Sequence, residues 1–210
     1  MRWNPAAGAV VVLAAALAPS RDAVAQRDVP NYTIQRALSE KRIVLQAHGT
    51  GRTTGDAGRL TVSRGPRAPK GNFVVRVPVG SVLDYHGAAE SLVVASVRGL
   101  LLDDRTLLPM PEIQVTDASR TWLVEAYSVD MWKSGATRST RFAMDDPDPV
   151  LRKILQETRR RRFSTKVTQA AVWIYSDQLS PADARETLDL VPARWKAAKS
   201  AVDRALIRRR

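Results

Sequence analysis

From Thr121 to Val129 the side chains alternate strictly. Trp122, Val124, Ala126 and Ser128 fall on one face of an extended chain, and Leu123, Glu125, Tyr127 and Val129 on the other. This period of two predicts a strand with one face turned to a core. Phe73–Pro78 follows the same rule, with Phe73, Val75 and Val77 opposed to Val74 and Arg76. Shorter strand-like runs at Ile43–Ala47, Arg59–Ser63, Ser91–Val97 and Gln114–Val115 are cut by turn residues. Short strands spaced by turns predict an antiparallel sandwich rather than βαβ units. Ahead of them, Ile34, Ala37 and Leu38 recur at helical spacing behind Asn31, which predicts a short capped helix.

After Met144 the period changes to that of helices. Asp148-Pro149 is a cap with proline at the first helical position, followed by the stripe Val150, Leu151, Ile154 and Leu155. That helix runs into Arg159-Arg160-Arg161-Arg162, cations that suit a helix C-terminus. The next stretch, Ser164–Tyr175, is apolar on nearly every side: between Val167 and Ile174 only Thr168 and Gln169 are polar. Such a helix is buried. The Gln169 amide carried inside with it needs partners, and without them would cost about 1–3 kcal/mol. The expected partner is the strand holding Tyr127 and Ser128, through the Ser128 hydroxyl or the strand backbone. Ser180-Pro181 opens a shorter helix, and Pro192 opens a last one with Trp195, Ala198, Val202 and Leu206 on one face. The expected fold is therefore α+β: an antiparallel β-sandwich-like body with a short N-terminal helix over residues 26–144, then C-terminal helices and a basic tail over 145–210, packed on the body.

Residues 1–25 carry the pattern of a secretory signal peptide. Arg2 is the positive start, Ala6–Ala18 the uncharged apolar run, and Ala23-Val24-Ala25 the small-residue cleavage pattern before Gln26. The apolar run falls short of the about 20 residues that span a bilayer. Export would place the protein in the periplasm, the envelope or the medium. The chain has no cysteine, which excludes disulfides, thiol nucleophiles and cysteine-ligated metal centres. Its net charge of +12 points to anionic partners, a polymer or a lipid surface. The candidate anion-binding residues are Arg159, Arg160, Arg161, Arg162, Lys196, Lys199, Arg208, Arg209 and Arg210.

Two short motifs carry a family resemblance. Tyr127-Ser128-Val129-Asp130 resembles the Tyr-Cys-hydrophobic-Asp signature of thioester domains in bacterial surface adhesins, with serine in the cysteine position. Thr168-Gln169-Ala170-Ala171-Val172-Trp173 resembles their Gln-x-x-hydrophobic-Trp signature. In that family the cysteine sulfur and the glutamine side chain condense into a thioester that acylates host nucleophiles. The resemblance implies a β-rich body joined to a helical part on an exported protein. It also implies that Tyr127, Ser128, Asp130, Gln169 and Trp173 form a degenerate, structural site, because a cysteine-free chain has no sulfur to acylate.

Three further constellations are legible. His86, with Asp84 two residues away and Ser81 or Ser91 as a nucleophile, is the candidate centre of a small hydrolase, although a triad is defined by geometry. Asp145, Asp146 and Asp148 are acidic enough to hold Ca²⁺ but lack the spacing of a calcium loop, and read as capping residues. Gly49–Gly55 is glycine-rich, but a strand follows it and it has no lysine, so it reads as a hairpin or bulge loop rather than a phosphate cradle. No cofactor or metal is expected. The expected function is that of an exported, non-catalytic binding or structural module, with electrostatic attachment through the basic C-terminal helix and hydrolysis at His86 as the alternatives. A nucleic-acid partner is disfavoured, since export and basic charge come with no recognition fold.

Overall fold

The computed structural model describes residues 29–207. The predicted leader and Arg208–Arg210 lie outside them. In chain order the elements are β1 (Asn31–Thr33), α1 (Ile34–Ser39), β2 (Ile43–Gly49), β3 (Thr54–Arg64), β4 (Phe73–Arg76), β5 (Val82–Asp84), β6 (Leu92–Leu101), β7 (Leu107–Pro109), β8 (Ile113–Val115), β9 (Arg120–Ser128), β10 (Arg141–Asp145), α2 (Pro149–Arg160), α3 (Thr165–Ser176), α4 (Pro181–Leu188) and α5 (Pro192–Leu206).

The body is a closed antiparallel barrel, not the expected sandwich. Its strands run in the order β5-β10-β2-β3-β9-β6, and β5 pairs with β6 to close the ring, leaving β7 on the outside of β6. Closure depends on β5, three residues that pair with β10 through Val82–Asp84 and with β6 through Val82 and Leu83. Alternation of apolar residues is the same in a sandwich and a barrel, and so short a strand leaves no periodic signal. Trp122, Val124 and Ala126 of β9 point inward to Leu60, Leu83, Leu92 and Val94, all buried in one cluster. The interior is narrow enough that at Gly58 a Cβ would lie 2.7 Å from Val124 Cγ2. A three-stranded sheet, β1-β4-β8, adds Phe73, Val75, Ile113 and Val115 to the same cluster, as α1 adds Ile34 and Ala37. The cap of α1 is Thr33, whose hydroxyl accepts from Arg36 N at 3.3 Å; Asn31, the expected cap, is in β1.

The helices form a second apolar cluster on the outer barrel wall, where Val93 and Tyr127 meet Leu151, Ile154, Val167, Ala170 and Ala171. Asp148 caps α2 as expected, accepting from Val150 N and Leu151 N at 2.7 and 2.8 Å. The α2 start is fixed to the barrel at Gly80, whose carbonyl accepts from Asp148 N at 3.0 Å. On α5 the buried face is Ala198, Ala201, Val202 and Ala205, while Leu206 is exposed. Small residues there let α5 lie close against α3. No helix among the described residues is long and apolar enough to cross a membrane.

Candidate functional site

Gln169 is completely buried, and its partner is the backbone of Ser128. The reason lies in strand pairing. Val129 N donates to Ser91 O at 3.0 Å, so Leu92 and Ser128 form the wide, non-hydrogen-bonded pair of the β6–β9 ladder. Both polar backbone groups of Ser128 therefore face away from β6, toward β3. But β3 begins at Thr54, opposite Tyr127, and the residue before it, Thr53, offers Ser128 an acceptor for its N–H and no donor for its carbonyl. The Gln169 amide fills that place: its Oε1 accepts from Ser128 N at 3.0 Å and its Nε2 donates to Ser128 O at 2.7 Å. Thr53 O shares the same N–H at 3.0 Å. Of the two partners foreseen for Gln169, the strand backbone is the one used. The Ser128 hydroxyl instead meets the backbone of Asp130, 3.2 Å from both its N and its O.

The other motif residues separate around this peg. Tyr127 points to the outer wall under the helices, and Trp173 is buried in the helical cluster. Asp130 accepts from Ser91 N at 2.8 Å and pairs with Lys133 at 3.1 Å. Beside it Glu90, only 2 % exposed, accepts from Ala136 N at 3.0 Å and so holds the loop after β9. Burial raises the Glu90 pKa and nearby Asp130 adds to the rise, against the Ser128 hydroxyl and Ala136 N–H, which favour the ionised form.

In the hydrolase constellation, Asp84 occupies the centre. Ser91 Oγ donates to its Oδ1 at 2.7 Å, and His86 Nδ1 lies 2.6 Å from its Oδ2. A triad needs the imidazole between hydroxyl and carboxylate; here the order is Ser91–Asp84–His86, with His86 80 % exposed. Ser81 donates to Pro78 O at 2.8 Å and accepts from Gln35 Nε2 at 3.0 Å. Asp145 is paired in β10 and Asp148 caps α2, and no cluster of three metal-ligating side chains occurs among the described residues.

A cleft the sequence did not reveal lies between the outer barrel wall and the helices. At its centre is Glu125 of β9, where both neighbouring strands are bulged. On one side β3 places Asp56 and Ala57 between the partners of Ala126 and Val124; on the other β6 inserts Ala95 between the partners of Ala126 and Glu125. A second β6 bulge, at Arg98, follows at once. Bulges re-aim side chains, and they gather beside sites. Glu125 accepts from Tyr127 OH at 2.7 Å and from Ser96 Oγ at 2.9 Å. Burial and the Glu125 carboxylate raise the Tyr127 pKa well above its ordinary value, so the phenol stays a donor. Arg98, half exposed, reaches Asp56 at 3.5 Å and Glu125 at 4.0 Å. Three adjoining hollows of about 640, 420 and 440 Å³ all include Arg98. In the sequence this site shows only in separate pieces, Glu125 and Tyr127 on one strand face and Arg159 and Arg162 within the arginine run.

Of the candidate anion-binding arginines, Arg159 and Arg162 line the cleft. Arg162 adopts a left-handed conformation, φ +53°, just past the C-terminus of α2. There Phe163 N donates to Thr158 O and Arg162 N to Arg159 O, both at 3.0 Å, the double bond of a Schellman stop. Glycine usually holds that position, and a side chain costs about 1–2 kcal/mol in it. Arg160 and Arg161 instead pair with Glu157 at 2.9 and 2.7 Å, and Arg204 of α5 reaches the same carboxylate at 3.4 Å. Lys199 pairs with Asp203 at 2.7 Å, and Lys196 is exposed.

No family model matches the sequence, and neither the curated proteins nor the solved structures contain a significant match.

Proposed function

We propose that this protein is an exported, non-catalytic binding module of the cell envelope or extracellular space, and that it takes an anionic ligand in the cleft around Arg98 and Glu125. The observation that carries this reading is the bulging of both strands beside Glu125. Bulges bend barrel strands as well as re-aim side chains, and these two at one level, with the Arg98 bulge next to them, bring Asp56, Ser96, Arg98 and Glu125 together at the cleft. Arg98, Arg159 and Arg162 give the cleft its positive sign, and Glu125, Ser96 and Tyr127 give it fixed polar groups. Export rests on the leader pattern in residues 1–25. The absence of a role in catalysis is favoured by the occupation of both Ser91 and His86 by Asp84, and by the lack of any cysteine.

A second reading, electrostatic attachment through α5, is favoured by exposed Lys196 and by the arginines at the end of the sequence. It is weakened by Lys199 and Arg204, which already have acidic partners. Retention of the full chain on an immobilised acidic polymer, at low and high salt, separates the two. Loss in Arg98→Glu but not in Lys196→Glu/Lys199→Glu supports the cleft. The reverse pattern moves binding to α5, and equal retention by both variants overturns both readings.

A further inference from the structure

We infer that the ligand of this cleft is a segment of acidic polysaccharide, a sugar chain with spaced carboxylates, an inference that rests on the cleft being the binding site. Shape comes first. The three hollows are not one closed pocket: they adjoin through Arg98, and each reaches a different part of the molecule. One extends along the β2–β3 hairpin at Arg52 and Thr53, one under α2 at Arg159 and Arg162, and one toward Pro109 and Pro111 beside β7. A single small anion would fill one of them. A chain passing Arg98 would occupy all three, meeting Arg52 in the first, Arg159 and Arg162 in the second, and Arg159 again in the third.

The polar lining then selects among anionic chains. Positive groups are interleaved with acidic and hydroxyl groups: Glu125 and Asp56 lie beside Arg98, with Ser96, Thr165 and Thr168 around them. A nucleic acid carries a phosphate on every residue, so Glu125 and Asp56 would repel it. It also binds single-stranded grooves by stacking on exposed aromatic rings, and of the two rings lining the cleft Tyr127 is buried and tied to Glu125, while Phe163 is half-buried against the helical cluster. A bilayer surface cannot enter a concave cleft walled by α2. A sugar chain meets each requirement: its carboxylates pair bidentately with arginines, its hydroxyls donate to Glu125 and to Ser96 Oγ, whose own proton is held by Glu125, and accept from threonine hydroxyls, and its low charge density tolerates the acidic groups. Arg162, the residue that ends α2 in a left-handed conformation, as Lys41, Gln178 and Asp189 do beyond other helices, brings its guanidinium to the cleft.

The test is binding of the full chain to hyaluronate, which carries one carboxylate on every second sugar, to neutral dextran, to oligo-thymidylate and to vesicles containing phosphatidylglycerol. It uses calorimetry on wild type, Arg98→Ala, Arg159→Ala and Glu125→Gln, each checked for native melting. The expected result is binding to hyaluronate and not to dextran, weakened about tenfold or more in either arginine variant. Glu125→Gln should weaken it less, by about threefold, because the amide still accepts one hydroxyl. Tighter binding of oligo-thymidylate or vesicles that is lost in Arg98→Ala would overturn the polysaccharide and leave the cleft as the site. Hyaluronate binding unchanged in both arginine variants would overturn the cleft itself. Failure to bind hyaluronate at low salt would overturn the inference outright.

Discussion

Replacing Gln169 by leucine tests the peg between helix and barrel. The substitution keeps the volume of the side chain and removes both bonds to Ser128. Ser128 N retains Thr53 O at 3.0 Å, so the group left without its partner is Ser128 O, which faces away from β6 and has only the Gln169 amide on that side. An unpaired buried carbonyl costs about 1–3 kcal/mol. The leucine recovers part of this by burying carbon in place of a polar amide, so the expected net loss is about 1–2 kcal/mol. For a chain of this size that is a fall of roughly 2–8 °C in Tm, measurable by thermal unfolding followed through tryptophan emission. Gln169→Glu adds a pH test. A protonated carboxyl can still donate to Ser128 O, whereas a carboxylate presents oxygen to oxygen. The pKa of that glutamate would be raised by folding, so its stability is retained in acid and lost as pH rises through the folded value. Ser128→Ala should cost less than about 1 kcal/mol, since the hydroxyl meets only the Asp130 backbone and the neighbourhood of Glu90. A Gln169→Leu protein as stable as wild type, or a Ser128→Ala protein less stable than it, would refute the assignment of the peg to backbone pairing.

Glu90 predicts a second pH dependence. Its pKa is raised chiefly by burial, so its contribution is fully present below the carboxylate range of the unfolded chain and is lost as pH rises through the folded value. Glu90→Gln, whose amide oxygen still accepts from Ala136 N, should be the more stable protein at neutral pH and show a flatter stability profile between acid and neutral buffers. Gly80→Ala should destabilise by about 2–4 kcal/mol, read from chemical denaturation: φ is +90°, and the new Cβ would lie 2.8 Å from Arg152 Cβ and 2.9 Å from Asp148 O. Expressed with residues 1–25 in an exporting host, the chain should appear outside the cytoplasm with Gln26 as its first residue by mass spectrometry; retention of residues 1–25 would refute export by cleavage.

Burial and period were legible in the sequence wherever an element was long enough to show them. The two faces of β9 are as the alternation of Thr121–Val129 predicts, and α3 is buried around Gln169 because its composition left it no exposed face. Barrel closure was not legible, because β5 is three residues long and its pairing with both β10 and β6 is a property of the ring, not of its own residues. The cleft was hidden for a related reason. A bulge shifts the faces of a strand by one residue, so Ser96 is placed opposite Glu125 by the bulge at Ala95, and Arg98 is itself the extra residue of the second bulge. Reading β6 with an unbroken period of two puts Arg98 in phase with Val94 and Leu100, which are buried inside the barrel.

Helical spacing also sorts the four arginines that the sequence presents as one block. Arg160 and Arg161 lie three and four residues after Glu157 and fold back onto it, while Arg159 and Arg162, three apart, share the side that meets the barrel. Glu157 thereby partners two arginines of its own segment and Arg204 of α5, and its hydrogen bonds to Arg160 and Arg161 hold its pKa below the usual carboxylate range. A lowered pKa gives stability that is present above the unfolded value and lost as pH falls through the folded one. Because the pairs are near the surface, the whole contribution should stay within about 1 kcal/mol. Glu157→Gln therefore separates total charge from placed charge. It raises the net positive charge by one and releases three guanidiniums, none of them in the cleft. If the ligand reads the geometry around Arg98, affinity in Glu157→Gln should stay within about twofold of wild type at physiological salt, where charges farther apart than about 8 Å are largely screened. A gain as large as the loss in Arg98→Ala would show that the overall positive field, not the cleft, governs binding.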